Sequence, residues 1–462
     1  MDYSKINIVI CLIIWFVAVV WTFSSRLTKK MTGTGLVFGY VLSLWTIHWF
    51  GPVLYLIPWY TLEWNIMWYR GFSPKWIEDG FRLSTYAIVA FSLGSVFLPN
   101  LLIRTLPFLR KDIPARIPNP RLPKAYIVGG LLFYFALAPT VGCIPTLKAL
   151  TASGVNLILV GVCLTLWKAT QEKKHGMFRR WLIGSLIGFP LLTLLSQGFL
   201  SFGAIALLVL FSFIASFFRP RWKLVLFGIF IWYLGLSFFV TYMRDRAEIR
   251  ELVWRKEPVS KRADWLAGAM SNFEWLDLNN PQHLIRIDAR LNQNLLVGAV
   301  VEHLAHNPHY AHGTSIRDAF LALIPRILWR NKPMRAGGNA LISRYTDLPY
   351  EEFGPEDVGT TISVGQIMEF YINFGTGGVF VGYLCLGAII GVLDAMARKH
   401  LVNGDWFGFA FWFLSGVGFL QVEVTLAEIF MRAGASALMA LFVNNFLHGF
   451  RGIKISQRAT FQ

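Results

Sequence analysis

The chain has 462 residues, of which 55% are hydrophobic and 16% aromatic, while only 15% are charged. That balance excludes an ordinary soluble domain and indicates a multi-span membrane protein. The net charge of +17 would suit a nucleic-acid partner, but its distribution along the chain, set out below, excludes that reading as well.

Apolar stretches of spanning length run at residues 6–24, 34–58, 84–103, 125–147, 149–167, 181–197, 199–218, 223–242, 375–396, 405–424 and 428–450. They predict an all-α polytopic protein with about eleven transmembrane helices. No small-residue cleavage site follows Ile6 to Phe23, so this first segment is expected to be a retained span. Cys11, Cys143, Cys163 and Cys385 all fall in apolar segments, and no disulfide framework is expected in the polar ones. Three regions result: an N-terminal bundle at 1–242, a long polar loop at 243–374, and C-terminal spans with a short tail at 375–462.

The short loops carry the excess charge. Arg26, Lys29 and Lys30 follow the first span, Arg104 to Lys124 separate the third and fourth, and Lys168 to Arg180 the fifth and sixth. Arg219 to Lys223, Arg398 with Lys399, and Arg451 to Arg458 complete the set. In an eleven-span arrangement all of these lie on one side, which the positive-inside rule makes cytoplasmic. The N-terminus is then expected to be periplasmic and the C-terminus cytoplasmic. The loop at 243–374, with 15 basic and 16 acidic residues, is nearly neutral and extracytoplasmic by alternation. The charge is therefore topological, and no nucleic-acid partner is expected.

Within the loop, helical periodicity runs from Asp288 to His306 (Leu291, Leu295, Leu296, Val300, Leu304) and from Ser315 to Trp329 (Phe320, Leu321, Ile324, Leu328). Both are expected as helices on the membrane surface, the second broken at Pro325. Arg244, Arg246, Arg290, Arg326, Arg330 and Lys332 are the cations placed to meet a lipid-linked phosphate, because guanidinium forks match phosphate oxygens in pairs. Each could equally be a headgroup cation at a helix end. His303, His306, His309 and His312 recur at three-residue spacing, but Pro308 interrupts the helix and the spacing spreads them too widely for one metal ion, so no metal site is expected. Glu423, Glu428 and Arg432 lie between the last two spans; Glu428 and Arg432, four apart, suit a structural pair.

The succession Arg290-Leu291, Gly313-Thr314-Ser315, Ile324-Pro325-Arg326-Ile327-Leu328-Trp329 with Lys332-Pro333, and Gly365 with Glu369-Phe370-Tyr371-Ile372-Asn373-Phe374-Gly375 resembles the oligosaccharide repeat-unit polymerases of the Wzy type. The resemblance covers residues from about 240 to 395 and is a hydropathy profile elsewhere. The turn Ser196-Gln197-Gly198 departs from it, because the family has an arginine at the middle position. The resemblance implies a GT-C-like glycosyltransferase of the bacterial inner membrane. It would join undecaprenyl-diphosphate-linked repeat units on the outer face of the bilayer into O-antigen, capsule or exopolysaccharide, alongside a flippase and a chain-length regulator.

No cofactor is implied, and the sequence has no Gly-rich phosphate loop or paired-aspartate motif. On the resemblance, Arg326 and Arg290 would hold the diphosphate leaving group, with Arg244, Arg330 and Lys332 in support. Glu369 would be the general base, or else a carboxylate paired with one of the arginines. His303 or His306 could serve as base instead, and Glu428 is a further candidate. An O-antigen ligase, which uses the same donor, and a flippase for lipid-linked sugars are the alternatives.

Overall fold

The computed structural model describes residues 3–28, 33–60, 73–137, 154–218, 221–324, 328–329, 331, 338–348 and 364–459. Among them every regular element is a helix. The N-terminal part contains α1 (Tyr3–Thr28), α2 (Leu36–Leu44), α3 (Phe50–Leu54), α4 (Pro74–Thr105), α5 (Pro107–Arg110) and α6 (Leu122–Leu132). It continues with α7 (Gly154–Gln171), α8 (His175–Gln197), α9 (Ser201–Phe217) and α10 (Arg221–Arg244). The polar region contributes α11 (Arg246–Trp254), α12 (Val259–Ser271), α13 (Pro281–Leu291), α14 (Asn294–His306), α15 (Thr314–Ala322) and α16 (Gly338–Tyr345). Helices α17 (Gln366–Val402), α18 (Trp406–Val417) and α19 (Leu426–Ala459) follow.

Each of the eleven apolar stretches contains helix among the described residues, although 138–147 and 149–153 lie outside them and the helix in 405–424 covers only Trp406–Val417. Seven helices among the described residues are long and apolar enough to cross a membrane, and Leu122–Leu137, Gly203–Phe217 and Trp406–Val417 are shorter apolar helices. The chain thus has the makeup of an all-α, multi-pass membrane protein.

The bundle is organised on α4 and α17, the most extensive helix pair. A Cβ on Gly94 would strike the Leu384 carbonyl, and one on Gly387 the Phe91 carbonyl, so small residues let these backbones meet. Helix α4 starts well before its apolar core, at Ser73, whose side chain accepts from Lys75 N. Helix α17 is kinked at Phe374 and Gly375, the glycine at φ +61°.

Arg26, a loop cation by sequence, is instead fully buried. Its Nη2 donates to Asp394 Oδ2 at 3.0 Å and its Nη1 to Ser95 O at 3.0 Å. The other Asp394 oxygen accepts from Thr34 N, Thr34 Oγ1 and Leu36 N. A carboxylate with four donors can be buried at a helix junction because its lone pairs are satisfied. At the same end Arg116 N donates to Asn403 O at 2.8 Å and Lys399 Nζ to Lys111 O at 2.7 Å. Two of the basic loops therefore adjoin.

The polar region is built into the bundle. The periodic stretch from Asp288 to His306 is two helices, because Asn292 turns its side chain to Asp288 Oδ1 (2.7 Å) and Gln293 N donates to Ile47 O. The second of these, α14, does not lie on the outside: Leu295, Val297, Val300 and Leu304 are all buried. It runs against α4, where a Cβ on Gly298 would strike the Trp76 carbonyl. Helix α15 ends at Ala322, before Pro325. The sites Arg326, Arg330 and Lys332 lie outside the described residues.

Candidate functional site

A chamber of about 2010 Å³ lies between α2, α8, α9 and α10. Its wall is apolar over most of its length, with Leu42, Trp45, Leu182, Leu208 and Ile231 among the lining residues. Helix α10 follows it from Lys223 to Arg244, about 30 Å at 1.5 Å per residue, the hydrocarbon thickness of a bilayer. Polar side chains gather at the Arg244 end, where Arg244, Arg246, Arg250, Arg290 and Arg432 line the chamber with Asp288, Glu423 and Glu428.

The five arginines are not equivalent. Arg244 is engaged on every nitrogen: Nε and Nη2 donate to Asp245 at 2.8 and 2.6 Å, and Nη1 donates to Asn272 O at 2.8 Å and Glu274 Oε1 at 2.6 Å. Glu274 Oε2 also meets Arg286 Nη1 and His283 Nε2, each at 3.2 Å. Partial burial pushes the Glu274 carboxyl up, but hydrogen bonds from Arg244 and His283 and the Arg244 and Arg286 charges outweigh it and hold the group below the usual carboxylate value. This knot ties the end of α10 to the 272–274 segment and to α13. Arg244 also borders a smaller polar groove of about 750 Å³, with Glu248, Trp265 and Asn272 on its walls.

One turn further, Arg246 and Arg250 sit four apart on α11. Neither makes an ion pair with a carboxylate among the described residues. The Arg250 Cζ lies 4.4 Å from the centroid of the Phe199 ring and 5.5 Å from that of Trp254, and its Nε is buried without a partner. Burial, and then the neighbouring Arg246 charge, draw the Arg250 guanidinium below the ordinary arginine value. An anion between the two would relieve the repulsion. Arg290, exposed in the last turn of α13, completes the cationic side.

Three carboxylates line the chamber with these arginines, in three different states. Asp288 is saturated: Tyr55 OH (2.5 Å) and Tyr60 OH (2.6 Å) donate to Oδ2 and Asn292 Nδ2 to Oδ1. Glu428 accepts from Arg432 Nη2 at 3.3 Å, the intrahelical pair expected from the four-residue spacing. Glu423, in the hairpin between α18 and α19, has its backbone carbonyl held by Gln293 Nε2 at 3.2 Å. No other residue among those described donates a hydrogen bond to its carboxylate.

Glu369 is placed elsewhere. It is fully buried and absent from the chamber wall, and its Oε2 accepts from Leu426 N at 2.6 Å, at the first residue of α19. It pairs with no arginine among the described residues. The Ser315 hydroxyl lies beside it, and Asn373 joins the same node, donating to Ser315 Oγ and accepting from Gly313 N. The Gly313-Thr314-Ser315 and Glu369-to-Gly375 segments thus meet in space. His303 Nδ1 faces Asp347 Oδ1 at 3.0 Å and His306 Nδ1 the Glu302 carbonyl at 2.9 Å, and neither lines the chamber. Among the described residues no three His, Cys, Asp or Glu side chains converge as a metal site would require.

A family model described as "Domain of unknown function (DUF8712)" matches residues 119–422, well over half of the chain. The chain belongs to the DUF8712 family. No curated protein and no solved structure matches it. The DUF8712 region takes in α6 to α18, and so the chamber's α8, α9 and α10 walls, the cationic rim on α11 and α13, and the node around Glu369. It stops at Val422, one residue before Glu423. Of the sequence candidates, Arg244, Arg246, Arg290 and Glu428 meet at this rim, joined by Arg250, which the sequence analysis passed over. Its i, i+4 spacing from Arg246, without an acidic residue at the same face, was the available signal.

Proposed function

We propose that this chain is a repeat-unit polymerase of the Wzy type, a glycosyltransferase of the bacterial inner membrane with a GT-C-like architecture of eleven spans. Its N-terminus is periplasmic, its C-terminus is cytoplasmic, and residues 243–374 face the periplasm. The observation that carries this reading is the chamber itself: a bilayer-length apolar slot with Arg246 and Arg250 on its wall, two cations that form no ion pair with a carboxylate among the described residues. A polyprenyl diphosphate has that division, an isoprenoid tail and an anionic head. Arg246, Arg250 and Arg290 hold the diphosphate and offset charge as the anomeric bond breaks. Arg326, Arg330 and Lys332, on the segment after α15, contribute from outside the described residues. Arg244, with its donors engaged, holds the rim together, and the groove beside it has room for sugars.

A flippase is less well supported. Its path would have to carry a charged headgroup the length of the chamber, whose middle is lined by leucine, isoleucine and aromatic side chains. A ligase would use the same donor site and is separated by its product. The decisive experiment is extension of an undecaprenyl-diphosphate-linked repeat unit by the purified protein, read as a ladder of lengths. In cells, loss of a polymerase leaves single units attached to their final acceptor, loss of a ligase leaves polymer unattached, and loss of a flippase leaves units trapped inside. Either of the last two patterns, or no ladder in vitro, overturns the reading.

A further inference from the structure

The hairpin at 418–425 presents acceptors to the chamber that no other residue among those described fills. Gln421 and Glu423 both line it. Gln421 Oε1 is buried with no hydrogen-bond partner among the described residues, and the Glu423 carboxylate, apart from its own backbone N–H, accepts from none of them. Asp288 cannot take a further role of this kind, since two tyrosines and an asparagine occupy it. Glu428 is committed to Arg432. A buried acceptor without a donor costs free energy, and a donor-rich partner that binds in the chamber would recover it. A saccharide, with a hydroxyl on most carbons, is such a partner.

We propose that Glu423 is the general base of the transfer, receiving the proton of the acceptor sugar's attacking hydroxyl, with Gln421 positioning that sugar through a neighbouring hydroxyl. This rests on the polymerase reading above. The acceptor oxygen forms a bond to the donor's anomeric carbon as the bond from that carbon to the diphosphate oxygen breaks. The leaving electron pair departs with undecaprenyl diphosphate, and the hydroxyl proton passes to Glu423 and then to water. No oxidant, nucleotide or other co-reactant is required. The hairpin is held for this task from two sides. Gln293 Nε2 bonds the Glu423 carbonyl and Gln366 Nε2 the Gln421 carbonyl at 2.8 Å, so the hairpin backbone is tied to the start of α14 and to α17.

The test uses the full-length protein in nanodiscs and lipid-linked repeat units extracted from cells lacking this chain. Glu423→Gln is expected to slow ladder formation by about 100-fold or more, the usual scale for removing a general base. It should leave binding of radiolabelled undecaprenyl diphosphate within about threefold of wild type, since the diphosphate site is on α11 and α13. Glu423→Asp should keep measurable activity with a displaced pH–rate profile, a change that a purely structural residue would not produce. If Glu423→Gln extends chains at a near-wild-type rate, the base assignment fails while the polymerase reading stands. If the variant loses undecaprenyl diphosphate binding together with activity, Glu423 is structural and the assignment also fails. If wild-type protein makes no ladder from these units, it is the polymerase reading that falls, and the inference with it.

Discussion

The Arg250 guanidinium lies over the Phe199 ring, 4.4 Å from its centroid, and no carboxylate among the described residues pairs with it. Stacking on an aromatic face holds a cation without saturating its hydrogen-bond donors, so Arg250 remains available to an anion. The engaged Arg244, six residues earlier in the chain, is its opposite in this respect.

That contrast predicts different outcomes for the two residues. Arg250→Ala, and Arg246→Ala beside it, should each lower the rate of polymer extension by about 10-fold or more, with thermal stability nearly unchanged. Arg250→Lys should recover little, because an ammonium neither stacks like a guanidinium nor offers a planar fork. Arg244→Ala should instead lower the melting temperature. Equal melting temperatures for Arg244→Ala and wild type would refute the anchoring role.

Glu369 should behave as a capping residue. Glu369→Ala leaves Leu426 N–H buried without its acceptor and is expected to cost about 1–3 kcal/mol in stability. Glu369→Gln keeps a carbonyl there and should retain extension activity in proportion to folded protein. A Glu369→Gln protein that melts like wild type yet makes no polymer would assign the base to Glu369 and refute the capping role.

Breaking the Arg26–Asp394 pair should be severe. Removing one partner strands a buried charge, so Arg26→Ala or Asp394→Ala should each destabilise by about 3–5 kcal/mol. The double change Arg26→Met with Asp394→Leu should cost less than the sum of the single changes. Thermal melting of the detergent-solubilised proteins tests this, and additive losses would show that the two side chains are not coupled.

The Glu274 knot makes a prediction about acid. Its folded-state pKa is depressed below the usual value near 4.5, so the unfolded chain takes up the proton first as pH falls. The contribution is therefore complete at neutral pH and is lost as pH drops from the ordinary carboxylate value through the depressed one. Hydrogen exchange over residues 272–286 should accelerate in that window. Glu274→Gln should show fast exchange at neutral pH already, and a pH-independent rate difference between the two proteins would count against the knot.

Much of the architecture was readable from the chain because hydropathy is local: each apolar stretch contains helix among the described residues, including the short one ending at Phe217. The surface-helix expectation for Asp288 to His306 failed for a reason no periodicity carries. Gly298 and Gly80 allow α14 to approach α4 closely, and apolar residues around more than one face of α14 were the only local hint. Glu369 was legible as a carboxylate at the head of α17, but its partner, a backbone N–H 57 residues later, was not.

By itself, then, the sequence determined that this is a helical membrane protein, where its helices run, and that its cations crowd into short loops and one long polar region. These are consequences of composition along the chain. Only the tertiary structure decided which cations are free. Asp245 and Glu274 take up Arg244, Asp394 takes up Arg26 across 368 positions, and Arg246 and Arg250 find no carboxylate among the described residues at the rim of the chamber. Ion pairing depends on which distant carboxylates the fold brings within a few ångströms, and that distance is not written in any local pattern.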